Sequence, residues 1–548
     1  DHALGITRTN VYAGLAGFYL LRDPAREPAN LPGGAQDPPV DQYGNPYERE
    51  IVIQDRMFDT NGQLYWPKLG LNPTIHPFWI PEFFGNVIMV NGKTWPYLQV
   101  EPRRYRLRML DGSNARMYSL GLVSTTKGKP GPGFYQIGSD GGLLDSPALL
   151  NDPAAANPLR LFMAPGERCD VIVDFRAYAG QTLTLINTAK APFPKGAPAD
   201  PRTTGVIMQI RVGVTVTGGV DNSLNPAQVT TLRAAPIERL TAGAVTRALT
   251  LNEHLGPGGP REIFVNNTMW DMDITETPAV GSTELWEIIN LTADTHPIHL
   301  HLVEFQMLNR QAFNANNYAK VYGVPVAGGG PPLPYGMLSA ATGNKLGGNP
   351  NITPYLSGLP KPPDPNERGW KDTFRMNPGE VTRVLVRMAP QDANARAGGQ
   401  VTPGMNLYSF DPTATLGTTD GFNFPGGPGY VWHCHIIDHE DNEMMRRFVV
   451  VNPAGPIAAS LAPATGASRP LPTEVALAPA WPNPAPGHAR IAFTLPQAAD
   501  VELAVFDLAG RVVARLATGR HAAGEHVVQW AGGDDAGTCL MGDTLYYS

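Results

Sequence analysis

Residues 430–444 place a thiol, several imidazoles and a thioether in one short run, and this limits what the chain can fold into. A blue-copper centre takes two His and one Cys in a trigonal plane, with a weakly bound axial Met. Cys434, His439 and Met444 supply three of those four ligands. The apolar residues before Cys434 predict a strand, and a short turn after it would bring His439 back beside the sulfur. The fold must then deliver one more imidazole from elsewhere in the chain.

His433 and His435 flank the cysteine on either side. Successive side chains of an extended strand point to opposite faces, so both imidazoles are expected to point away from the face that carries Cys434. They are therefore predicted to hold a second metal site. The Cys–His backbone would then be a short path for electrons between the two sites.

A second group of histidines lies far upstream, at His296, His299 and His301. Residues two apart share one face of a strand, so His299 and His301 are predicted to act as two ligands of one cluster. His296 is predicted to lie at a proline turn, where it can face elsewhere, toward Cys434. It is the predicted fourth ligand of the mononuclear site.

Zinc is the alternative metal for such a set. Structural zinc sites are closed tetrahedra such as Cys₂His₂, whereas this chain offers one Cys with a Met five residues after the His. The combination favours copper. Met444 and its neighbour Met445 are distinguished as axial ligands only by their spacing from Cys434.

Taken together, the motif His-Pro-x-His-x-His at 296–301 and the motif His-Cys-His-x-x-x-His-x-x-x-x-Met at 433–444 resemble the multicopper oxidases. The sequence around them is most similar to the branch of spore-coat laccases, bilirubin oxidases and phenoxazinone synthases. The resemblance implies an all-β fold of consecutive cupredoxin-like Greek-key sandwiches. It also implies a laccase-like oxidoreductase with a copper cofactor, four ions in the intact family protein. Such an enzyme couples one-electron oxidation of phenolic or similar reductants to the four-electron reduction of dioxygen to water.

The same resemblance implies a role for each candidate ligand. The mononuclear (type 1) copper would be held by His296, Cys434, His439 and Met444, which leaves Met445 as a core residue. The type 2 copper would be held by His299, and the type 3 pair by His2, His301, His433 and His435. Glu440 would relay protons to dioxygen; the alternative is a solvated acid in an acidic run.

The start of the chain resembles the end of a first cupredoxin domain. Asp1 and His2 match the last two residues of a family His-x-His triplet. We therefore expect an N-terminally truncated chain that carries five of the eight imidazoles of the family cluster, so that its trinuclear site is incomplete. A signal peptide would then lie outside the sequence. The expected location is extracellular, periplasmic or at the cell surface.

The composition, with 59 Gly and 54 Pro in 548 residues, indicates many turns and short strands. Residues 1–24 are predicted to be the final strands of a first domain, and 25–48 a linker. A copper-free cupredoxin domain is predicted at 49–213, in which the alternation at 104–110 indicates a half-buried antiparallel strand. A linker is predicted at 214–246.

A third domain, predicted at 247–452, echoes the second and holds the mononuclear copper and half of the trinuclear site. Val90-Asn91 recurs as Val265-Asn266, and the Pro-Gly-Glu turn at 165–167 recurs at 378–380. Two echoes in the same order indicate repeated sandwich domains.

Residues 453–478 are rich in Ala, Pro and Ser and are predicted to be a linker. Residues 479–548 resemble the immunoglobulin-like module of flagellar hook-cap proteins. The predicted structure there is a small β-sandwich. Such a module leaves open an interaction with cell-surface or secretion machinery.

Charge and composition exclude several classes of protein. A net charge of −7 argues against binding of nucleic acid by the chain as a whole. No run of about 18 apolar residues is present to cross a membrane. The three cysteines (Cys169, Cys434 and Cys539) are too few for a disulfide framework. The expected partners are dioxygen and a small reducing substrate.

Two other functions use a similar mononuclear site. A pure electron-transfer cupredoxin array needs no second metal site, so the histidines around Cys434 and at 299–301 argue against it. A copper nitrite reductase would place its catalytic His at a subunit interface. Consumption of oxygen or of nitrite would separate the latter from an oxidase.

Overall fold

The computed structural model of the chain describes residues 2, 4–67, 69–70, 79–125, 129–256, 259–335, 343, 345–413, 429–453, 474–477, 489–506, 511–530 and 546–547. These residues form two compact units. One unit is Asp1–Trp66, Pro81–Leu255 and Glu262–Ile457, and the other is Pro67–Ile80, Gly256–Arg261 and Ala458–Ser548. Across the described ranges, none of the helices combines the length and apolar character that a membrane crossing requires.

The N-terminal segment corrects one expectation. Residues 4–47 contain the helix α1 (Thr7–Tyr12) and none of the strands predicted for 1–24. The Asp441 carboxylate accepts hydrogen bonds from the backbone N–H groups of Gly5, Thr7 and Arg8. These are the groups that a helix start leaves without partners, so a buried acid from far along the chain stabilises a helix here.

Two sheets of the first unit form a sandwich between residues 48 and 212. Neighbouring strands of the seven-stranded sheet are, in order, β3 (Lys93–Thr94), β2 (Val87–Val90), β1 (Glu48–Arg56), β5 (Arg104–Asp111), β10 (Arg168–Asp174), β7 (Phe134–Ser139) and β8 (Gly142–Leu150). The five-stranded sheet has the order β4 (Tyr97–Val100), β12 (Val206–Val212), β11 (Thr182–Asn187), β6 (Tyr118–Ser124) and β9 (Leu161–Met163). One buried cluster, from Ile51 in the first sheet to Ile207 in the second, fills the space between them.

The prediction for β5 was partly wrong. It pairs antiparallel with β10 but parallel with β1. Its arginine face is buried rather than exposed, because acids cover it. Arg104 contacts Asp221, a residue of the predicted linker, and Arg106 contacts Asp170. A guanidinium is tolerated in a core when a carboxylate pairs with it, and alternation alone does not reveal that partner.

A second sandwich follows in the same unit. Its five-stranded sheet has the order β14 (Gly259–Val265), β13 (Thr246–Gly256), β15 (Thr283–Asn290), β19 (Glu380–Arg387) and β17 (Phe305–Ala312). Its four-stranded sheet has the order β18 (Thr373–Met376), β16 (His296–Leu300), β20 (Tyr430–Cys434) and β21 (Met445–Phe448). Ring contacts between the sheets, such as Trp286 with Trp432 at 5.6 Å, pack them face to face.

Short helices connect these strands. The α-helices are α2 (Ala315–Tyr322), α3 (Ala393–Ala397) and α4 (Ile437–Asn442). Three 3₁₀ turns span Arg176–Tyr178, Thr353–Tyr355 and Pro365–Glu367.

The two sandwiches repeat the same local features. Each opens with a strand that pairs parallel to a later one, β1 with β5 and β13 with β15. Asn91 and Asn266 both adopt a positive φ, of 49° and 54°, and Gly166 and Gly379 do so at 81° and 70°. The recurring motifs therefore form the same turns. The strands confirm the predicted all-β class, whereas the predicted domain boundaries stay predictions.

The second unit contains two three-stranded sheets. Their orders are β22 (Ala476–Leu477), β23 (Ala489–Leu495) and β26 (Gly524–Trp530), and β25 (Val512–His521), β24 (Ala499–Phe506) and β27 (Tyr546–Tyr547). Ile491, Phe493 and Leu503 belong to a core of its own. Most of the predicted linker at 453–478, and Cys539, lie outside the described residues.

Candidate metal centre

Two neighbouring strands and one helix build the site. β16 and β20 are antiparallel, with Ile298 opposite Cys434 and His299 opposite His433. Both strands follow the two-residue period, so each divides its ligands between two faces. The helix α4 begins three residues after Cys434 and carries His439.

Three donors meet on one face. Cys434 Sγ lies 3.6 Å from His296 Nδ1 and 3.7 Å from His439 Nδ1, and the two nitrogens are 3.1 Å apart. All three side chains are buried. Bonds of about 2.0 Å to nitrogen and about 2.3 Å to sulfur, at about 120°, place nitrogen about 3.7 Å from sulfur and the two nitrogens about 3.5 Å apart. The spacing therefore fits one small ion lying between the three atoms.

The strand register distinguishes the two methionines. Met445 lies opposite His433 in β21, and paired residues of adjacent strands point to the same face. Met444 precedes that strand, and its carbonyl accepts the Cys434 N–H at 2.9 Å. Met444 is buried next to Cys434, whereas Met445 shares the face of His433. The register therefore favours Met444 as the neighbour of the thiolate site.

The other face gathers five imidazoles. His301 Nε2 and His433 Nε2 are 3.3 Å apart, and a donor nitrogen of His2 lies within 4.8 Å of both. The His299 ring lies 4.9 Å from that of His301, and the His435 ring lies 5.5 Å from that of His433. Every histidine of the two motifs, together with His2, thus lies in one of two neighbouring groups.

His435 gives an independent test of whether a metal fits this second group. Among the described residues, its buried Nδ1 has no hydrogen-bond partner. Gly166, from the first sandwich, lies against the same ring: a Cβ at that position would be 2.5 Å from the imidazole. A buried nitrogen without a partner, in a ring held this tightly, suits a metal ligand.

Polar groups behind the imidazoles fix their orientation. His299 Nδ1 donates to the Asp372 carbonyl at 2.9 Å, and Arg168 holds the Asp372 carboxylate through bonds of 2.9 and 2.5 Å. His296 Nε2 lies 2.6 Å from Thr292 Oγ1. Such contacts select the ring nitrogen that faces a metal. The sequence motifs did not reveal Asp372 and Arg168, because only the fold brings them near His299.

Glu440 lies between two imidazoles of the second face. Its Oε1 is 2.6 Å from His2 Nδ1 and its Oε2 is 3.0 Å from His433 Nδ1. Burial raises the pKa of this carboxyl, but attraction to His433 and the hydrogen bond with His2 outweigh it and hold the pKa below its usual range. The predicted alternative, a solvated acid, is wrong, since the side chain is fully buried.

Burial keeps the imidazoles neutral. It lowers the pKa of His296 to about 3 and that of His301 to about 2. The pKa values of His433, His435 and His439 are lowered for the same main reason. Burial also raises the pKa of the Cys434 thiol. The histidines are thus ready to bind metal at neutral pH, whereas Cys434 must lose a proton when it does.

Two acids that sequence reasoning missed lie at the outer edge of the thiolate site. Glu253 Oε1 is 3.9 Å from His296 Nε2, and Glu82 Oε1 is 4.0 Å from His439 Nε2. Burial raises the pKa of Glu253 to about 7 and that of Glu82 well above its usual range. Neither acid lies near the histidines in sequence, so no local signal marked them.

Comparisons with known proteins agree with this geometry. The family model described as multicopper oxidase matches residues 245–394 and 421–454, and the model for the FlgD Ig-like domain matches 483–542. A laccase of Bacillus subtilis is 36% identical over 83% of this chain and 70% of its own length. Multicopper oxidase LPR2 of Arabidopsis thaliana is 34% identical over 82% of this chain and 66% of its own.

A solved structure shows the same fold. The McoA multicopper oxidase 2F4 variant from Aquifex aeolicus superposes with a TM-score of 0.52, at 23% identity, over 82% of this chain and 75% of that one. These relatives confirm the predicted fold class, the copper cofactor and the class of copper-dependent oxidoreductase. The match at 483–542 confirms the resemblance of the C-terminal module. The chain belongs to the multicopper oxidase family.

Proposed function

We propose that this chain is a laccase-type oxidase, which takes single electrons from phenols or similar small reductants and passes four of them to dioxygen. The observation that carries the proposal is the pair of donor groups on opposite faces of β16 and β20, joined through Cys434. An electron-transfer protein needs only the first group.

In this proposal, His296, Cys434, His439 and Met444 hold the mononuclear copper. The fit of the three donor distances around one ion supports the first three ligands. The strand register supports Met444 over Met445. In blue-copper sites, the weakly bound axial ligand, here a thioether, tunes the reduction potential.

The second group holds the ions that meet dioxygen. His299 would serve the type 2 copper, and the type 3 pair would be served by His2, His301, His433 and His435. When bound, copper at the two sites supplies one-electron oxidation at the first and dioxygen reduction at the second. Cys434 is bonded through the backbone to His433 and His435, so the polypeptide itself links the two sites.

Reduction of one dioxygen to two waters takes four electrons and four protons. Glu440 lies against His433 and against His2, whose side chain is 29% exposed, so its carboxylate could pass protons on to the second group. Because the side chain of Glu440 is buried, bulk water does not compete for its contacts with the two imidazoles. We therefore assign it the role of proton relay.

Electrons would enter at the outer edge of His296 and His439. Their Nε2 atoms face Glu253 and Glu82, at 3.9 and 4.0 Å. A hydrogen-bond acceptor there would suit the hydroxyl of a phenol, which must lose a proton as it loses an electron. We propose this edge as the entry point for the reductant.

A location outside the cytoplasm, and a bacterial surface or secretion role for the C-terminal module, also belong to this proposal. The match of residues 483–542 to the FlgD Ig-like domain supports a module for protein contact. Its two sheets and separate core support a unit that is independent of the copper sites.

The test separates the two halves of the reaction. Copper-loaded protein without oxygen is mixed with 2,6-dimethoxyphenol, and its blue absorption is followed. The phenol is expected to bleach the colour, and admitted oxygen to restore it. Failure of the phenol to bleach the colour, or its return with nitrite but not oxygen, would contradict the proposal.

A further inference from the structure

A cavity of about 380 Å³ lies in the first unit, and its lining includes none of the proposed ligands. It is within the size range of small-molecule sites, which are mostly apolar with a few polar groups. Its walls come from β9, from the segment after β11 and from the 3₁₀ turn Pro365–Glu367 with β18. The lining residues that carry the argument are Arg160, Phe162, Phe193, Asp364 and Arg375.

Two aromatic rings form one wall. Phe162 and Phe193 are 4.7 Å apart between ring centroids and are tilted by 55°. Both are only half-buried, so their faces line the cavity rather than the core. Such a wall suits a flat aromatic ligand, since tilted and offset rings pack favourably.

Most charges around the cavity are already paired. Arg375 lies 3.0 Å from Glu367, which is buried, and stacks over Phe162 at 4.7 Å. The Asp364 side chain accepts the Glu367 N–H and thereby caps the 3₁₀ turn. These groups shape the cavity without leaving a cation to bind a ligand.

Arg160 is different. Among the described residues, no carboxylate forms an ion pair with it, and burial alone lowers the pKa of its guanidinium. Elsewhere in this unit, Arg106 pairs with an acid, and the buried Arg446 donates to backbone carbonyls. A partly desolvated cation without a counter-ion is costly unless a ligand supplies the charge.

The position of Arg160 is set by the sheet below it. A Cβ on Gly121, in β6, would lie 2.7 Å from Arg160 Nη2. The glycine therefore leaves the space in which the guanidinium rests. Asn151, which the same Cβ would approach at 2.9 Å, bonds to the backbone of Leu120 and Leu161 on either side.

We propose that this cavity binds a small aromatic molecule that carries an anionic group, such as an aromatic carboxylate. The carboxylate pairs with Arg160 through the planar fork of the guanidinium. The ring packs against Phe162 and Phe193. The proposal does not depend on copper or on turnover.

The test uses benzoate, which an oxidase of phenols does not consume, on the copper-loaded full chain. Benzamide has the same shape without the charge, and acetate has the charge without the ring. Isothermal titration calorimetry is expected to show benzoate binding at least about 10-fold more tightly than either. Retained blue absorption checks that each variant is folded.

Variants locate the binding. Arg160→Gln is expected to weaken benzoate binding about 10-fold and to leave benzamide unchanged, whereas Arg160→Lys keeps part of the affinity. Arg202→Gln, whose parent side chain is 88% exposed, is the matched control and should change nothing. Equal binding of benzoate by the parent chain and by Arg160→Gln would overturn the proposal. So would the absence of benzoate binding in the parent.

Discussion

At the residue scale, burial holds the imidazoles of the metal centre in the neutral form that binds a metal. Burial keeps His296 and His301 uncharged at neutral pH. The carboxyl groups around them respond in opposite directions, because Glu440 has imidazole partners and Glu253 has none within hydrogen-bonding range. The same residue type thus acquires different chemistry from its neighbours.

Glu440→Gln tests the proton relay. The amide fits the same space but cannot carry protons to dioxygen. The return of blue colour on admission of oxygen is expected to slow by about 10²-fold, while bleaching by phenol is unchanged. Glu443→Gln is the control, since that half-buried acid accepts the backbone N–H of Trp270 instead. Equal rates in Glu440→Gln and the parent would exclude a relay at this position.

Glu304→Gln tests the cost of partly desolvating an acid. Burial raises the pKa of Glu304 to about 7, from 4.5 in an unfolded chain. The folded state therefore binds this proton more tightly, and stability falls as pH rises from 4.5 to 7. The variant, which has no proton to lose, should gain about 3 kcal/mol over the parent at pH 8 relative to pH 4.5.

Guanidinium unfolding at the two pH values measures this gain. The exposed Glu502, which has 65% of its side chain accessible, provides the control variant Glu502→Gln. A gain that is the same at pH 4.5 and pH 8 would show that the pKa of Glu304 is not raised.

At the element scale, short helices are held by residues distant in sequence. α1 has no side-chain cap of its own, and the buried Asp441 of α4 takes that place. The contact also ties the segment that follows His2 to the helix that carries Glu440. The position of His2 beside the second group thus depends on a carboxylate that no local pattern links to it.

Asp441→Ala should release α1. Three backbone N–H groups and Arg8 lose their acceptor, at a cost of about 2 kcal/mol. Hydrogen exchange of the amides at 5–12 is expected to accelerate, while the blue absorption remains. Asp392→Ala, at the start of the exposed helix α3, is the control and should change exchange there only slightly. Unchanged protection at 5–12 would contradict this account of α1.

Gly166→Ala and Gly379→Ala form a matched pair. Both glycines have positive φ in equivalent Pro-Gly-Glu turns, so both variants carry similar backbone strain. Only the Cβ at 166 meets His435, at 2.5 Å; at 379 nothing lies within 4 Å. Gly166→Ala should slow the return of colour with oxygen by about 10²-fold. Equal behaviour of the two variants would show that His435 has no role there.

The ligand-bearing elements could be predicted because their pattern is local. The two-residue period of a strand separates His296 from His299 and His301, and Cys434 from His433 and His435. One detail differed: His296 lies within β16 rather than in a proline turn, and its odd spacing from His299 suffices to turn it toward Cys434. Gly166, Asp372 and Asp441 were missed because the partner that each one contacts is distant in sequence: His435, His299 and the start of α1, respectively.

At the scale of the whole molecule, the first unit contains two sandwiches of the same architecture, and only the second sandwich carries the two ligand motifs. The first contributes a structural contact, Gly166 against His435, rather than a ligand. The repeated turns allowed this architecture to be predicted from the sequence. The burial of arginines on β5 could not be predicted, because it depends on acids such as Asp221 from the segment between the sandwiches.

The central claim is that Cys434 binds copper as a thiolate, between His296 and His439. The most direct measurement is the visible absorption of the copper-loaded chain, compared with that of Cys434→Ser and of the buried control Cys169→Ser. The account predicts an intense blue band in the parent and in Cys169→Ser, and its loss in Cys434→Ser. A parent without the band, or a Cys434→Ser variant that keeps it, would contradict the account.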